Sequence, residues 1–163
     1  MVINNILKYL LRQLNHMEFD EIDTNILKNL LVDARQSSRQ LAHKLGISTV
    51  TIISRLKKLE QKKVIQGYNA RLDHEILGYD ITAIIEVTTS KGKMLEIENK
   101  IAESQNICAV YDVTGNTDIV MIGKFKNRNS LSGFVKNLNT IPNVENTITR
   151  VVLNTPKEDF RLL

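Results

Sequence analysis

Two groups of residues in this 163-residue chain have the types and spacing to do chemistry. The first is cationic and hydroxylic. Between positions 35 and 63 stand Arg35, Arg39, Lys44, Arg55, Lys57, Lys58, Lys62 and Lys63, opposed by Glu60 alone. Ser48, Thr49, Val50, Thr51 and Ser54 are interleaved with them. Ammonium and guanidinium groups bind phosphate oxygens, which gives affinity and register but little sequence information. Hydroxyls bond base edges or phosphates, and Val50 can meet a thymine methyl. The second group is Thr114, Gly115, Asn116 and Asp118. Asp118 suits an ammonium, and backbone N–H groups at Gly115 and Asn116 suit a carboxylate. The same residues, with Thr117, also read as a plain tight hairpin, and local sequence leaves both readings open.

The first group needs two helices to position it. Leu41, Ala42 and Leu45 face inward on a short helix, which Gly46 ends through the left-handed conformation that glycine accepts. Ile47 packs in the turn and Ser48 caps the next helix. There Ile52, Leu56 and Leu59 recur on one buried face. The opposite face holds Val50, Ser54, Lys57 and Gln61, flanked by Ile53 and Lys58. Thr49 and Thr51 lie at the N-terminal end, where recognition helices reach base edges. The pattern predicts a DNA-reading helix-turn-helix with Arg39, Ser48, Thr49, Val50, Thr51, Ser54, Arg55, Lys57 and Lys58 as the candidate DNA-binding residues. An amphipathic helix with a solvated basic face is the competing reading.

The flanking segments follow from the same rules. Residues 20–33 form a helix capped by Asp20, with Asp23 at the third helical position and Ile22, Ile26, Leu27, Leu30 and Leu31 buried. Ser37 or Ser38 caps the helix after it. Residues 64–72 look extended, as a wing or connecting strand, and 73–79 have the turn residues of a hinge. Residues 1–16 present Ile3, Ile6, Leu7, Leu10, Leu11 and Leu14 on one helical face, which needs a second subunit or its own domain to cover it. Met17 is an alternative start.

From Asp80 the pattern changes. Strands are expected at 81–87, 110–113, 119–125 and 144–153, and helices at 93–103 and 130–138. The order βαββαβ implies an antiparallel sheet with both helices on one face, the ferredoxin-like fold. The fold class is α+β. The division is an N-terminal extension (1–17), a winged helix-turn-helix (18–72), a hinge (73–79), a ferredoxin-like domain (80–155), to which the family resemblance given below adds effector binding and oligomerisation, and a frayed tail (156–163).

Charge and composition narrow the function. Residues 1–79 carry 12 Lys and Arg against 8 Asp and Glu, and residues 80–163 carry 10 against 10. A positive field confined to the first half fits a polyanion partner. One cysteine, Cys108, excludes an intrachain disulfide and a cysteine zinc site, and its apolar run predicts a buried, inert thiol. No span reaches a membrane helix, so the expected address is cytoplasmic. No cofactor is expected.

The motifs, taken in order, resemble the Lrp/AsnC (feast/famine) family of transcription regulators over about residues 19–153. They are Asp20-x-x-Asp23-x-x-Ile26-Leu27-x-x-Leu30, Asp33-Ala34-Arg35, Leu41-Ala42, Leu45-Gly46-Ile47-Ser48, Arg55-Leu56-x-x-Leu59-Glu60, Val64-Ile65-x-Gly67-Tyr68, Leu77-Gly78-Tyr79 and Val113-Thr114-Gly115-x-x-Asp118. The resemblance implies homodimers or higher homo-oligomers, promoter double-stranded DNA, and a small effector, typically an amino acid. Two positions depart from the family pattern. Lys63 stands where glycine normally ends the recognition helix with φ > 0, at about 1 kcal/mol for a non-glycine residue. The helix is therefore expected to end differently, with the wing shifted. Thr117 stands where an aromatic is common, which alters the effector contacts.

Siroheme decarboxylases resemble this family in both domains, so the fold does not exclude an enzyme. Tetrapyrrole chemistry needs His or Arg facing a large pocket, whereas His16, His43 and His74 all precede the second domain. No nucleophilic set, zinc motif or phosphate loop is present, and no catalytic residue is assigned. A DNA-compacting protein without an effector is a third class, distinguished by weak sequence preference.

Overall fold

Asp20 begins the first helix. Its Oδ1 accepts the backbone N–H of Asp23 at 2.8 Å, satisfying a donor that the helix leaves open. This helix, α1 (Glu21–Val32), leads to α2 (Ser38–Leu45), where Ser37 and Gln40 form a reciprocal capping box. Gly46 ends α2 at φ 67°, and Ser48 caps α3 (Thr49–Gln61) by accepting the Thr51 N–H at 3.1 Å. Ile26, Leu41, Ala42, Ile52 and Leu59 form the core among these three described helices. The computed structural model describes residues 19–90 and 94–163. The expected helix at 1–16 lies outside them, as does the first residue of the expected helix at 93–103.

The chain divides into two units. One comprises residues up to Ala70 together with Asp159–Leu163, and the other is Arg71–Glu158. In the first, the recognition-helix terminus overturns one expectation. Lys63 takes φ 55°, the conformation expected of glycine. Its N–H donates to the Glu60 carbonyl at 2.9 Å, and Val64 N–H donates to Leu59 at 2.9 Å. This is a Schellman closure, and its two bonds hold a lysine in a left-handed turn. The wing is also corrected. Val64 and Ile65 turn into the helical core, and residues 66–73 form no ladder.

The tail is not frayed. Arg161 donates to the Leu31 carbonyl at 3.1 Å, serving the end of a helix that has no basic residue in its own last turn. In the other unit, Lys124 bonds the Glu158 carboxylate at 2.9 Å.

That second unit contains β1 (Ile81–Thr89), α4 (Met94–Ala102), β2 (Ile107–Asp112), β3 (Ile119–Phe125), α5 (Arg128–Asn139) and β4 (Val144–Val151). All pairings are antiparallel, in the order β2-β3-β1-β4. Alternation divides the sheet's faces. Ala83, Ile85, Val87, Ile119, Met121 and Phe125 pack against Ile97 and Ile101 of α4 and Leu131 and Leu138 of α5. Ile84, Val120, Ile122, Ala109, Tyr111 and Ile148 belong to the opposite face, which no described helix covers. On that face Arg150 pairs with Glu86 at 2.7 Å. Cys108 departs from expectation. The ladder shifts register between Ile107 and Ala109, and Cys108 is exposed at that irregularity.

Candidate nucleic-acid interface and effector loop

The outward face of α3 is as its period requires. Val50, Ile53, Ser54, Lys57, Lys58 and Gln61 are exposed, and Val50 is 77% accessible. Thr49 is half-buried at the N-terminal end. The hydroxyls divide by role. Ser48 caps the helix and bonds Thr51 Oγ1 at 2.8 Å, so these two are engaged with each other. Thr49 and Ser54 are the hydroxyls on the helix beside Val50. Arg39 is exposed on α2, where it lines a cleft with Asp33, Gln36, Gln40, His43 and Lys44.

Arg55 is placed differently from the other cations. Its Nη1 donates to Asp20 Oδ2 and, at 3.1 Å, to Asp23 Oδ1. Its side chain is only 26% accessible, and Asp23 is 2% accessible. The Asp23 backbone N–H, and after it the Arg55 guanidinium, holds the Asp20 carboxyl below the usual carboxylate range. The two carboxylates in turn raise the pKa of Arg55. Sequence reasoning grouped Arg55 with the DNA-facing cations because of its charge. A wheel of about 100° per residue puts it only about 60° from Ile52, on the inward side. The buried role of Asp23 was missed too, although it lies within the stripe of Ile22, Ile26, Leu27 and Leu30. An acid there needs a cationic partner.

The second group sits at one end of the sheet. Thr114, Gly115 and Asn116 are exposed, and Gly115 has φ 127°. Val113 N–H donates to the Asp118 carbonyl at 3.0 Å, closing the turn. Asp118 Oδ2 accepts the Thr89 N–H at 2.6 Å and the Thr89 hydroxyl at 3.2 Å. Thr117 donates its hydroxyl to the Val87 carbonyl at 3.0 Å, which is what this residue does in place of an aromatic. Both side chains tie the loop to β1. A carboxylate has about four lone-pair sites, so Asp118 keeps acceptor capacity beyond Thr89. Among the described residues, no group of His, Cys, Asp and Glu is arranged to hold a metal ion. No described helix is long and apolar enough to cross a membrane.

Residues 19–60 match the AsnC-type helix-turn-helix domain, and residues 82–162 match the Lrp/AsnC ligand binding domain. The chain belongs to the Lrp/AsnC family. It is 47% identical over 146 residues to an uncharacterized HTH-type transcriptional regulator of Pyrococcus horikoshii, covering 90% of this chain and 99% of that one. It is 37% identical over 143 residues to the HTH-type transcriptional regulator FL11 of the same organism, covering 88% and 95%. Among solved structures it is similar to AsnC of E. coli, with TM-score 0.81, 26% identity and coverage of 86% and 96%. It is also similar to a Neisseria meningitidis transcriptional regulator solved as an L-Met complex, with TM-score 0.82, 25% identity and coverage of 89% and 96%. This Lrp/AsnC protein is thus a transcriptional regulator with a DNA-binding helix-turn-helix and a ferredoxin-like second domain.

Proposed function

We propose that this regulator binds promoter DNA sequence-specifically as a homodimer or larger homo-oligomer and changes that binding when a small effector, such as an amino acid, occupies the loop at 114–118. The observation that carries the DNA reading is the exposed face of α3. Thr49, Val50 and Ser54 reach base edges, and Lys57, Lys58 and the neighbouring Arg39 of α2 hold phosphates. Ser48 and Thr51 act mainly by fixing the start of the helix. One short recognition helix reads few base pairs, so two copies reading half-sites are needed for useful specificity. The helix-free sheet face, with Tyr111 and Ile148 each over 40% accessible, is the surface where the copies meet.

The effector reading rests on Asp118 and the exposed backbone of Gly115 and Asn116, and the L-Met bound by the Neisseria relative supports it. The protein is not an enzyme in this reading. His43 lies at the cleft on α2, and His74 packs edge-on to Tyr79, 6.1 Å between ring centroids. The test enriches duplexes from a random-sequence pool, then titrates the enriched duplex with and without each amino acid. A several-hundredfold preference over scrambled DNA, shifted by one or more amino acids, is expected. Equal binding to both duplexes refutes sequence-specific regulation, and no shift with any amino acid refutes the effector part alone.

A further inference from the structure

We propose that the Asp20–Arg55–Asp23 cluster is a positioning device that fixes how α3 presents its base-reading residues, and that Arg55 contacts no phosphate. This rests on the DNA-binding reading above. Arg55 lies immediately after Ser54 on α3, yet its guanidinium points toward α1, where one nitrogen meets carboxylates of both Asp20 and Asp23. Asp20 meanwhile caps α1 through its other oxygen. The bonds therefore run from an amide in the first turn of α1, through Asp20, to the middle of α3. Apolar packing of Ile26, Leu41 and Ile52 holds the helices together without setting their rotation closely, because it is non-directional. Hydrogen bonds to a planar guanidinium set direction. A reading helix needs its side chains held to about 0.5 Å and 10–20°.

The local charge argues against a phosphate contact. Two carboxylates face one guanidinium, so the cluster has a formal charge of −1, and a phosphate brought to Arg55 would meet Asp20. The cations suited to phosphate, Lys57 and Lys58, lie farther around the helix and are exposed. Arg55 acts on DNA only through the residues it orients.

The experiment measures fluorescence anisotropy of the full chain on two duplexes over a salt series. One duplex is enriched by the wild-type protein from a random pool, and the other is its scrambled counterpart. The variants are Asp20→Asn, Arg55→Lys, the apolar double variant Asp23→Leu/Arg55→Met, and Lys57→Ala for comparison. Asn caps a helix about as well as Asp, so Asp20→Asn removes charge and not the cap. Electrostatics alone predicts that losing this negative charge strengthens binding to both duplexes. The clamp predicts about tenfold weaker binding to the enriched duplex, comparable to one mismatched base pair, with scrambled-duplex affinity retained. Arg55→Lys keeps the charge on a side chain one bond shorter than the path to Nη1, so it should lose the double contact and behave alike.

The double variant removes the buried pair and leaves only Asp20, which is half-exposed and still caps α1, so it should fold as judged by thermal melting, while its preference falls and its salt slope stays. Lys57→Ala should instead lower the slope by about 0.9 on both duplexes. The clamp is overturned if the double variant keeps wild-type preference, or if removing Arg55 lowers the slope by about 0.9 on both duplexes. A wild-type chain with no preference would overturn the clamp and the specific-binding reading together. A wild type with preference and variants that retain it would overturn the clamp alone.

Discussion

Replacing Lys63 with glycine should stabilise the DNA-binding unit, while the same replacement one residue earlier should destabilise it. Lys63 has φ 55°, and Lys62 has φ −80° and ψ 2°. The left-handed conformation costs an L-residue about 1–2 kcal/mol, and glycine relieves that strain. Glycine also frees the unfolded chain, which offsets about 0.5–1 kcal/mol of the gain. The net at Lys63→Gly is a stabilisation of about 0.5–1 kcal/mol. At Lys62 there is no strain to relieve, so only the entropic loss of about 0.5–1 kcal/mol remains. Each change removes one exposed lysine, so altered net charge does not explain opposite signs. Calorimetry of the full chain should show the transition of this unit rising by roughly 2–8 °C for Lys63→Gly and falling by a similar amount for Lys62→Gly. Amide exchange at Val64, which donates to Leu59, should slow in the first variant and quicken in the second. Both transitions moving in the same direction would refute the reasoning.

Four further outcomes follow from the described geometry. Asp118→Asn keeps an acceptor for Thr89 but loses the charge that meets an ammonium; calorimetric titration should show amino-acid affinity down by about one to two decades, and unchanged affinity would remove Asp118 from the effector site. Asp118→Ala should additionally destabilise the fold by about 1–3 kcal/mol, because the Thr89 donors lose their acceptor. Ile148→Asp puts a charge on the edge strand of the helix-free sheet face, so light scattering should find monomers where the wild type is dimeric, and a persisting dimer would exclude that face as the interface. In acid the sign is fixed by Asp20 and Asp33, whose carboxyls are held below their ordinary 3.8. The unfolded chain takes up these protons first, so stability is full above about pH 4 and falls as pH drops through the lower folded values; Asp20→Asn should flatten that fall in an acid-unfolding series.

Local rules were enough wherever one residue decides a local conformation. Asp20, Gly46 and Ser48 delimit the helices from sequence, and the cap left between Ser37 and Ser38 falls on Ser37, because caps and left-handed turns depend on near neighbours. The antiparallel sheet with both helices on one face followed from alternation and from the βαββαβ pattern. What was not legible depends on pairing across the chain. Arg161 meets Leu31 across 130 positions, and Asp118 meets Thr89 across 29. The wing was expected from an extended-looking stretch, but Val64 and Ile65 found burial against the helices and had no strand to pair with. Cys108 was expected inside because its neighbours are apolar, and a register shift that sequence does not mark exposed it. At Lys63 a residue preference yielded to two hydrogen bonds. At Arg55 the helical period held the answer, and residue type was given more weight than position.

The contact between Arg161 and Leu31 means that the DNA-binding unit is discontinuous in sequence. Expressing only the residues before Arg71 would give a helix-turn-helix whose first helix lacks the donor at its C-terminal end, since α1 has no basic residue there to substitute. Binding measured on such a fragment reports a unit with one bond missing. Joining matters as much as cutting. A fluorescent domain or purification handle attached after Leu163 is tethered to the DNA-binding unit, although the residues up to Glu158 belong to the other unit. Short linkers there will act on the reading head first.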